Sequence, residues 1–512
     1  MEFKMCSLPR TCPVGKINVS HNTQSDIIVP DTKPDVYKIL SVKALVDLNG
    51  CHTKKDKITF SGNIKYNIFY IGEEEQNKIR TIEYTAPFSY MAEKSGISED
   101  MCTRCASKVS KVTCDIVNSR KVCTSAKIDI FAHTAINGET EVIGGDDIPS
   151  SLAFQTKEYE YDVLRAKNSF EFMVSDSVSI CGGDDFEIYD IIAYEDISEI
   201  KAVNNKAVIK GQVNVSVLYD NAGEISGCNT EIPFTEIVDI ENLTSDQTLV
   251  SHFEIASVNY TLPQSPEDAD LDISVTLRGS IWGYECAKES FAKDIYSPDY
   301  MYDIRLKNHT LLKVSDVKNS NITIKDTLVP SDSSSSISKV HCAFCSLSKD
   351  ETNLSGGVLK VSGNMDSVAI CSDEYDNLIS VKGSSPFEAE FDFPDCNSPT
   401  EVFADISLIN SGYVLTSSSD VQIRAVAKVS ASVIERKDVA VITSFSVDEK
   451  SPVKKDEQPS ILVYYPDEGA SLWDIAKKYN TTCEEIISVN SLDKDNPVTK
   501  GVPVLITKRY VK

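Results

Sequence analysis

Apolar and polar residues alternate along most of this chain. From Ile58 the even positions are apolar: Ile58, Phe60, Gly62, Ile64, Tyr66, Ile68 and Tyr70. A period of two is the mark of a strand with one buried face. The same register returns at Ala207, Ile209, Gly211, Val213, Val215, Val217 and Tyr219, and more weakly at Leu359, Val361, Gly363, Met365, Ser367, Ala369 and Cys371. The three glycines are about 150 residues apart. Each glycine strand runs into a polar turn (Gly72-Glu73-Glu74, Asp220 to Gly223, Ser372-Asp373-Glu374) and then reaches a Pro-Phe pair 22 to 25 residues past the glycine: Pro87-Phe88, Pro233-Phe234 and Pro386-Phe387. A second alternating ribbon closes each unit, with similar stretches at 118–125 and 410–417. A glycine recurring inside a strand marks a bulge or a close backbone approach, where a missing side chain helps. The pattern predicts three related β domains, each large enough to bury its own core. Helical signals are few before residue 445. The stretch Pro34 to Leu40 suits the start of a helix or of a strand equally.

The period changes near the end. Leu462 to Tyr465 reads as a short strand closed by Pro466 and Gly469. Ser471 with Asp474, and Thr482 with Glu485, have the spacing of capping boxes, so two short helices are expected, stopped at Asn480 and Asn490. Val504 to Thr507 is the return strand. Gly469, Ser471, Leu472, Trp473, Ile475, Ala476, Tyr479, Thr481, Thr482, Ile486, Asn490, Leu492, Gly501 and Leu505-Ile506 match the pattern of the LysM family, which this segment resembles. The resemblance implies a βααβ module with a shallow groove between its first strand-helix loop and the loop after its second helix. In the family that groove reads N-acetylglucosamine polymers. Here the family's Gly-Asp-Thr is Gly469-Ala470-Ser471, and loss of a directed carboxylate weakens the case for sugar binding without touching the fold. Trp473 is read either as core on the inner helix face or as groove surface.

A second resemblance covers the repeats. Ile28-Val-Pro-Asp-Thr-Lys-Pro-Asp-Val36, the Gly62 strand ending in Phe69-Tyr70, and the Pro-Phe pairs look like the SPOCS domain of clostridial sporulation proteins. Only the first repeat keeps the Pro-Asp-x-x-Pro-Asp run; the second has Gly183-Asp-Asp-Phe-Glu-Ile-Tyr189 and the third Pro330-Ser-Asp-Ser. The expected fold class is therefore mainly β, three related β-rich SPOCS-like domains followed by a small α+β LysM module. The expected boundaries are 1–160, 161–305 and 306–447, a linker at 448–460, and the module at 461–512. The charged, Pro-containing Asp448 to Pro459 reads as exposed linker, so the module is expected to move relative to the scaffold.

Charge narrows the partners. Fifty-one basic residues stand against 77 acidic ones, a net −26. The last fifty-two residues carry seven of each sign, so the excess lies on residues 1–460. Such a surface repels phosphate backbones and anionic lipid, so neither nucleic acid nor direct membrane insertion is expected. No run of eighteen apolar residues occurs, and the first ten residues lack a signal-peptide core, so the chain is expected to stay unexported. The 15 cysteines are dispersed and odd in number, which predicts reduced thiols. Cys102/Cys105 and Cys342/Cys345, the latter after His341, could in principle offer four thiolates to zinc, but about 236 residues separate the two pairs and their places in the repeats differ. No phosphate-binding loop, HExxH, GxSxG or dinucleotide fingerprint is present. No catalytic residue, metal or cofactor is expected, and the chain is read as a non-enzyme.

SPOCS-like units followed by one terminal LysM resemble the order found in spore-coat morphogenesis. That resemblance implies an adaptor at the forespore surface in the mother cell, docking the coat morphogenetic ATPase and other coat proteins. The expected contact residues are Asp467, Gly469, Ser471, Leu472, Trp473, Asn490 and Leu492. The alternative is a peptidoglycan-binding protein of the spore cortex or cell wall. A wall hydrolase carrying LysM for targeting would need a catalytic domain, and none is recognisable.

Overall fold

The computed structural model describes residues 4–73, 75–145, 149–179, 186–221, 224–262, 270–330, 336–394, 396, 400–453, 459–492 and 498–507. Residues 454–458 of the expected linker, 183–185 and 331–335 at the openings of the second and third repeats, and positions 74, 222 and 223 in two of the turns lie outside the described residues.

The first unit contains β1 (Met5–Ile28), β2 (Val36–Lys54), β3 (Lys57–Gly72), β4 (Glu75–Glu93), β5 (Cys102–Asn118) and β6 (Lys121–Ile143). Its middle strands form a meander, β2-β3-β4, and its outer strands a second sheet, β1-β6-β5. The second unit repeats this order. There β7 (Ala153–Ser179) pairs with β12 (Asp270–Tyr296) and β12 with β11 (Thr248–Thr261), beside the meander β8 (Phe186–Val203), β9 (Lys206–Asn221) and β10 (Glu224–Asp239). In the third, the opening strand is broken in two, β13 (Tyr300–Val314) and β14 (Lys318–Leu328). Both pieces pair with the 33-residue β19 (Asp420–Pro452), which also pairs with β18 (Thr400–Ser417). The third meander is β15 (Lys339–Ser355), β16 (Val358–Ser372) and β17 (Leu378–Asp392). The expected boundaries at 160, 305 and 447 therefore fall inside β7, β13 and β19, and residues 448–452 of the expected linker are strand. Alternation alone cannot show where a long ribbon outruns its own domain. Pro34 to Leu40 leads into β2, a strand.

The recurrent glycines occupy one place. Gly62 lies opposite Phe88, Gly211 opposite Phe234 and Gly363 opposite Phe387. A Cβ at any of the three would collide with that phenylalanine ring and with a carbonyl oxygen of the strand on the other side. That other strand bulges at the same level each time, between Leu48 and Gly50, Ile197 and Glu199, and Lys349 and Glu351. The glycine admits the bulge, and the ring covers the exposed backbone.

Each unit buries a core between its meander and its outer sheet. In the first, Ile58, Phe60, Ile64 and Tyr66 pack on Ala126, Ile128 and Ile130. The units then pack as a ring. Arg278 of unit two bonds Asp47 of unit one, Lys428 of unit three bonds Asp196 of unit two, and Lys16 and Lys108 of unit one donate to the Val402 and Ile406 carbonyls of unit three. At one end the meanders meet in a shared cluster that includes Leu40, Phe69 and Ile79, Tyr189 and Leu218, and Cys342, Phe344 and Ile370. At the other, the long ribbons meet through Leu8, Val142, Tyr161, Phe291, Leu311 and Val441. The Pro-Asp-x-x-Pro-Asp run is structural: Arg120, in the β5–β6 turn, donates to the Val29 and Lys33 carbonyls and to Asp31 and Asp35.

The terminal module is β20 (Ile461–Tyr464), α1 (Leu472–Lys478), α2 (Cys483–Asn490) and β21 (Val504–Thr507), the expected βααβ order. No helix among the described residues is long and apolar enough to cross a membrane.

Candidate functional site: the terminal module and an axial cavity

Two places on the molecule gather chemistry. The first is the module. Both capping residues act as the spacing predicts, Ser471 accepting from the Asp474 amide (3.0 Å) and Thr482 from the Glu485 amide (3.2 Å). Asn480 takes the left-handed conformation (φ 51°) that ends α1. After α2 that conformation belongs to Ser491 (φ 52°), one residue beyond the expected stop. Asn490 stays helical and clamps the return strand: its Nδ2 donates to the Leu505 carbonyl and its Oδ1 accepts from the Leu505 amide, each at 2.7 Å.

The seven residues expected to form a contact surface divide accordingly. Leu472 is buried, and Leu492 packs against the same core of Ile475, Ala476, Ile486, Val504 and Ile506. Asn490 ties strand to helix. Ser471 is exposed but caps α1. Asp467 and Gly469 (φ 79°) lie open in the first loop. Trp473 faces the scaffold. Its Nε1 donates to Asp294 Oδ2 (2.8 Å), and its ring meets the Tyr296 ring edge-on, centroids 5.0 Å apart. Lys477 Nζ reaches both oxygens of Asp294 (2.8 and 2.7 Å), and Tyr296, itself fully buried, donates to the Thr481 carbonyl (2.8 Å). The expectation of a mobile module is thus corrected. The end of β12 supplies a carboxylate and an aromatic to α1, and the module's core is continuous with Tyr296. The outer face of the β20–β21 sheet remains open, with Ile461 61%, Val463 50%, Tyr465 64% and Leu505 39% exposed.

The second place is a cavity of about 460 Å³ lined by residues of all three units. Among the described residues strand β18 pairs with β19 alone, and lysines bond its inward carbonyls. Lys16 Nζ donates to Val402 O (3.3 Å), Lys349 to Ala404 O (2.7 Å) and Lys108 to Ile406 O (3.4 Å). Arg104 lies over the rings of Phe403 and Trp282, 5.2 and 5.9 Å from their centroids, and its buried Nη1 has no hydrogen-bond partner among the described residues. Lys349 sits over Phe131 (4.8 Å). His252 Nδ1 and Asp405 Oδ2, from units two and three, are 2.5 Å apart.

Burial and this charge set the protonation states. His133 is driven down to about 2 by burial and by Arg104, Lys16, Lys349 and Arg436, so its imidazole is neutral. Burial opposes a charge on His252, but Asp405 and Glu254 outweigh it and raise the pKa to about 10. Burial would likewise raise Asp405, yet His252, Lys349 and Lys108 hold it well below the usual carboxylate range. Glu195 is pushed up to about 7, chiefly by burial. Burial lowers Lys16, Lys108 and Lys349 as well.

No sequence motif joins these groups. A partial signal existed: Lys349 stands where the other repeats have Leu48 and Ile197. The Cys-x-x-Cys pairs do not form a metal centre. Residues three apart on a strand point to opposite faces. The Cys105 sulfur lies against that of Cys51, while Cys342 and Cys345 go to different hydrophobic clusters. Among the described residues no group of three or more His, Cys, Asp and Glu is placed to hold a metal ion.

Comparison with known families agrees with this layout. The family model described as SipL, SPOCS domain matches residues 35–117 and 187–263, which run from β2 to β5 and from β8 to β11. The LysM domain model matches residues 468–500. No curated protein and no solved structure matches. The chain is thus similar to SipL-type sporulation proteins, with SPOCS segments ahead of a terminal LysM; both families are non-catalytic.

Proposed function

We propose that this protein is a non-enzymatic adaptor of spore coat assembly, whose LysM module docks the coat morphogenetic ATPase while the ring of β units organises other coat proteins. It would act in the mother cell, at the surface of the developing forespore. The observation that carries this reading is the open apolar face of the module's sheet. Ile461, Val463, Tyr465 and Leu505 present a contiguous set of large side chains to solvent on a module already fixed to its scaffold through α1. Apolar residues clustered this way mark protein contacts. Asp467 and Gly469 extend the surface at the first loop.

The test is co-purification of the full-length chain with the coat ATPase. Val463→Glu, on the exposed side of β20, is expected to abolish capture while leaving the melting temperature unchanged. Capture that survives both Val463→Glu and Asp467→Lys would reject the assignment of the surface. A second reading, peptidoglycan binding, draws on the LysM match itself. Sedimentation with insoluble peptidoglycan separates the two: retention on the polymer without capture of the ATPase would replace the adaptor by a wall-binding protein.

A further inference from the structure

The axial cavity carries the opposite charge to the rest of the molecule. Lys16, Arg104, Lys108 and Lys349 line it, and protonated His252 adds a fifth cation. The acids nearby are largely committed elsewhere. Glu254 bonds Arg278 and also lies 3.7 Å from His252, while Asp190 bonds Lys43, Glu83 bonds Lys65 and Asp129 pairs with Lys127. Asp405 and Glu195 remain, and Asp405 already faces His252. A chain with a net charge of −26 therefore surrounds a pocket in which buried cations outnumber available anions.

The donors are also under-used. An ammonium has three N–H groups, and Lys16, Lys108 and Lys349 each find one carbonyl on β18 among the described residues. Arg104 keeps a buried nitrogen with no partner among the described residues while its guanidinium lies over Phe403 and Trp282. Concentrating cations in a low-dielectric space is costly unless an anion completes them. Apolar and aromatic residues, Leu45, Tyr194, Phe344 and Val258 among them, share the remaining wall with serines. A volume of about 460 Å³ is well beyond that needed by a lone inorganic ion, and lies in the range of small-molecule sites.

We infer that the axial cavity binds a small organic anion, a carboxylate or phosphate carried on an apolar body, with Arg104, Lys16, Lys108 and Lys349 holding the head group. The site is assembled only when all three units close the ring. Its ligand would therefore stabilise the assembled scaffold over any state in which a unit has swung away.

The experiment is calorimetric titration of the full-length protein with 2-naphthoate and with 2-naphthyl phosphate, and with uncharged 2-naphthol as the comparison. One saturable site is expected for at least one anion, with 2-naphthol about tenfold weaker or worse. Binding of one anion alone supports the site and fixes its head group. Arg104→Gln and Lys349→Met are each expected to weaken the anion by about tenfold, whereas Lys360→Gln, on an exposed strand face, leaves it unchanged. Should Arg104→Gln fail to fold, Lys349→Met decides. The inference is overturned if neither anion binds, if 2-naphthol binds as well as the anions, or if affinity is the same in the folded Arg104→Gln or Lys349→Met protein.

Discussion

Arg278 and Lys428 occupy the same position in successive repeats and make the same reach across a unit boundary. Arg278 donates to the Leu48 carbonyl (2.7 Å) and to Asp47 (2.8 Å); Lys428 donates to the Ile197 carbonyl and to Asp196 (3.2 Å). In each case the acceptors flank the bulge opposite the recurrent glycine. One local device, a strand kinked so that a carbonyl and a carboxylate point outward, thus serves both the fold of a unit and its attachment to the next. Arg278→Ala leaves Asp47 and the Leu48 carbonyl without this partner at a half-buried boundary. A loss of about 2–3 kcal/mol is expected, measured by denaturant unfolding, since removing one side of a paired, partly buried charge costs this much. Arg278→Lys should recover part of it.

The glycines themselves give a sharper test. Gly62→Ala, Gly211→Ala and Gly363→Ala each set a methyl group against a carbonyl and a phenylalanine ring, with backbone on one side that cannot turn away. Each is expected to cost about 2–4 kcal/mol, in the range of overpacked cores and above. Thermal melts of the three variants should show similar losses. An alanine at Gly412, where nothing lies within 4 Å, should leave the melt unaltered.

One carboxylate carries the polar part of the α1 dock, beside the Tyr296 contacts. Asp294→Ala removes the acceptor of both Trp473 and Lys477, and a weakening of about 1–3 kcal/mol is expected. Small-angle scattering should then report a larger radius of gyration, and Trp473 emission should shift to the red as the indole meets water. The two capped helices should survive, because their caps and core lie within the module.

Charge at the axis predicts a pH dependence with a definite sign. The folded pKa of His252, about 10, exceeds its ordinary value of 6.5. The stabilisation from its proton is fully present below pH 6.5 and is lost as pH rises toward 10. Facing it are Asp405, Glu254 and Glu195, with Lys108 and Lys349 beside Asp405. Glu195 acts in the same direction at lower pH: raised to about 7, it costs stability as pH climbs from its ordinary 4.5. Neutral His133 opposes Glu195 below 6.5, where the unfolded imidazole takes up a proton that the folded one refuses. The His252→Gln protein should lose the decline between pH 6.5 and 10 and keep the acid limb, as followed by the unfolding midpoint across pH.

Arg120 tests the first unit's opening run. Its four acceptors in the Val29–Asp35 segment are two carbonyls and two carboxylates. Arg120→Ala is expected to cost about 1–2 kcal/mol and to expose the 29–35 segment to protease.

Much of this was legible in the sequence. Alternation located β3, β9 and β16, and the Gly and Pro-Phe spacings fell on facing positions of a meander. The capping spacings located α1 and α2. The rest depended on how units meet. Phe69 and Ile71 break the alternation of β3 by being buried on its other face, because three meander ends converge there. A one-dimensional pattern records that a residue is apolar, not which neighbour covers it. Asp294 and Tyr296 read as the ordinary end of a strand and become a dock only in three dimensions. Arg104, His252, Lys349 and Asp405 are spread over some 300 residues, and the topology alone collects them.

The bulges in β5, β11 and β18, at Ser110, Ala256 and Ile409, align Ala106, His252 and Asp405 as one position read three times. A homotrimer of identical units would have to place one residue type there in triplicate, three imidazoles or three carboxylates crowding a single axis. Fusion of the units into one polypeptide lifts that symmetry requirement. An acid can answer a base across the axis while the third copy contributes only a methyl group, so the centre of the ring can be fitted to an asymmetric guest, one side chain at a time.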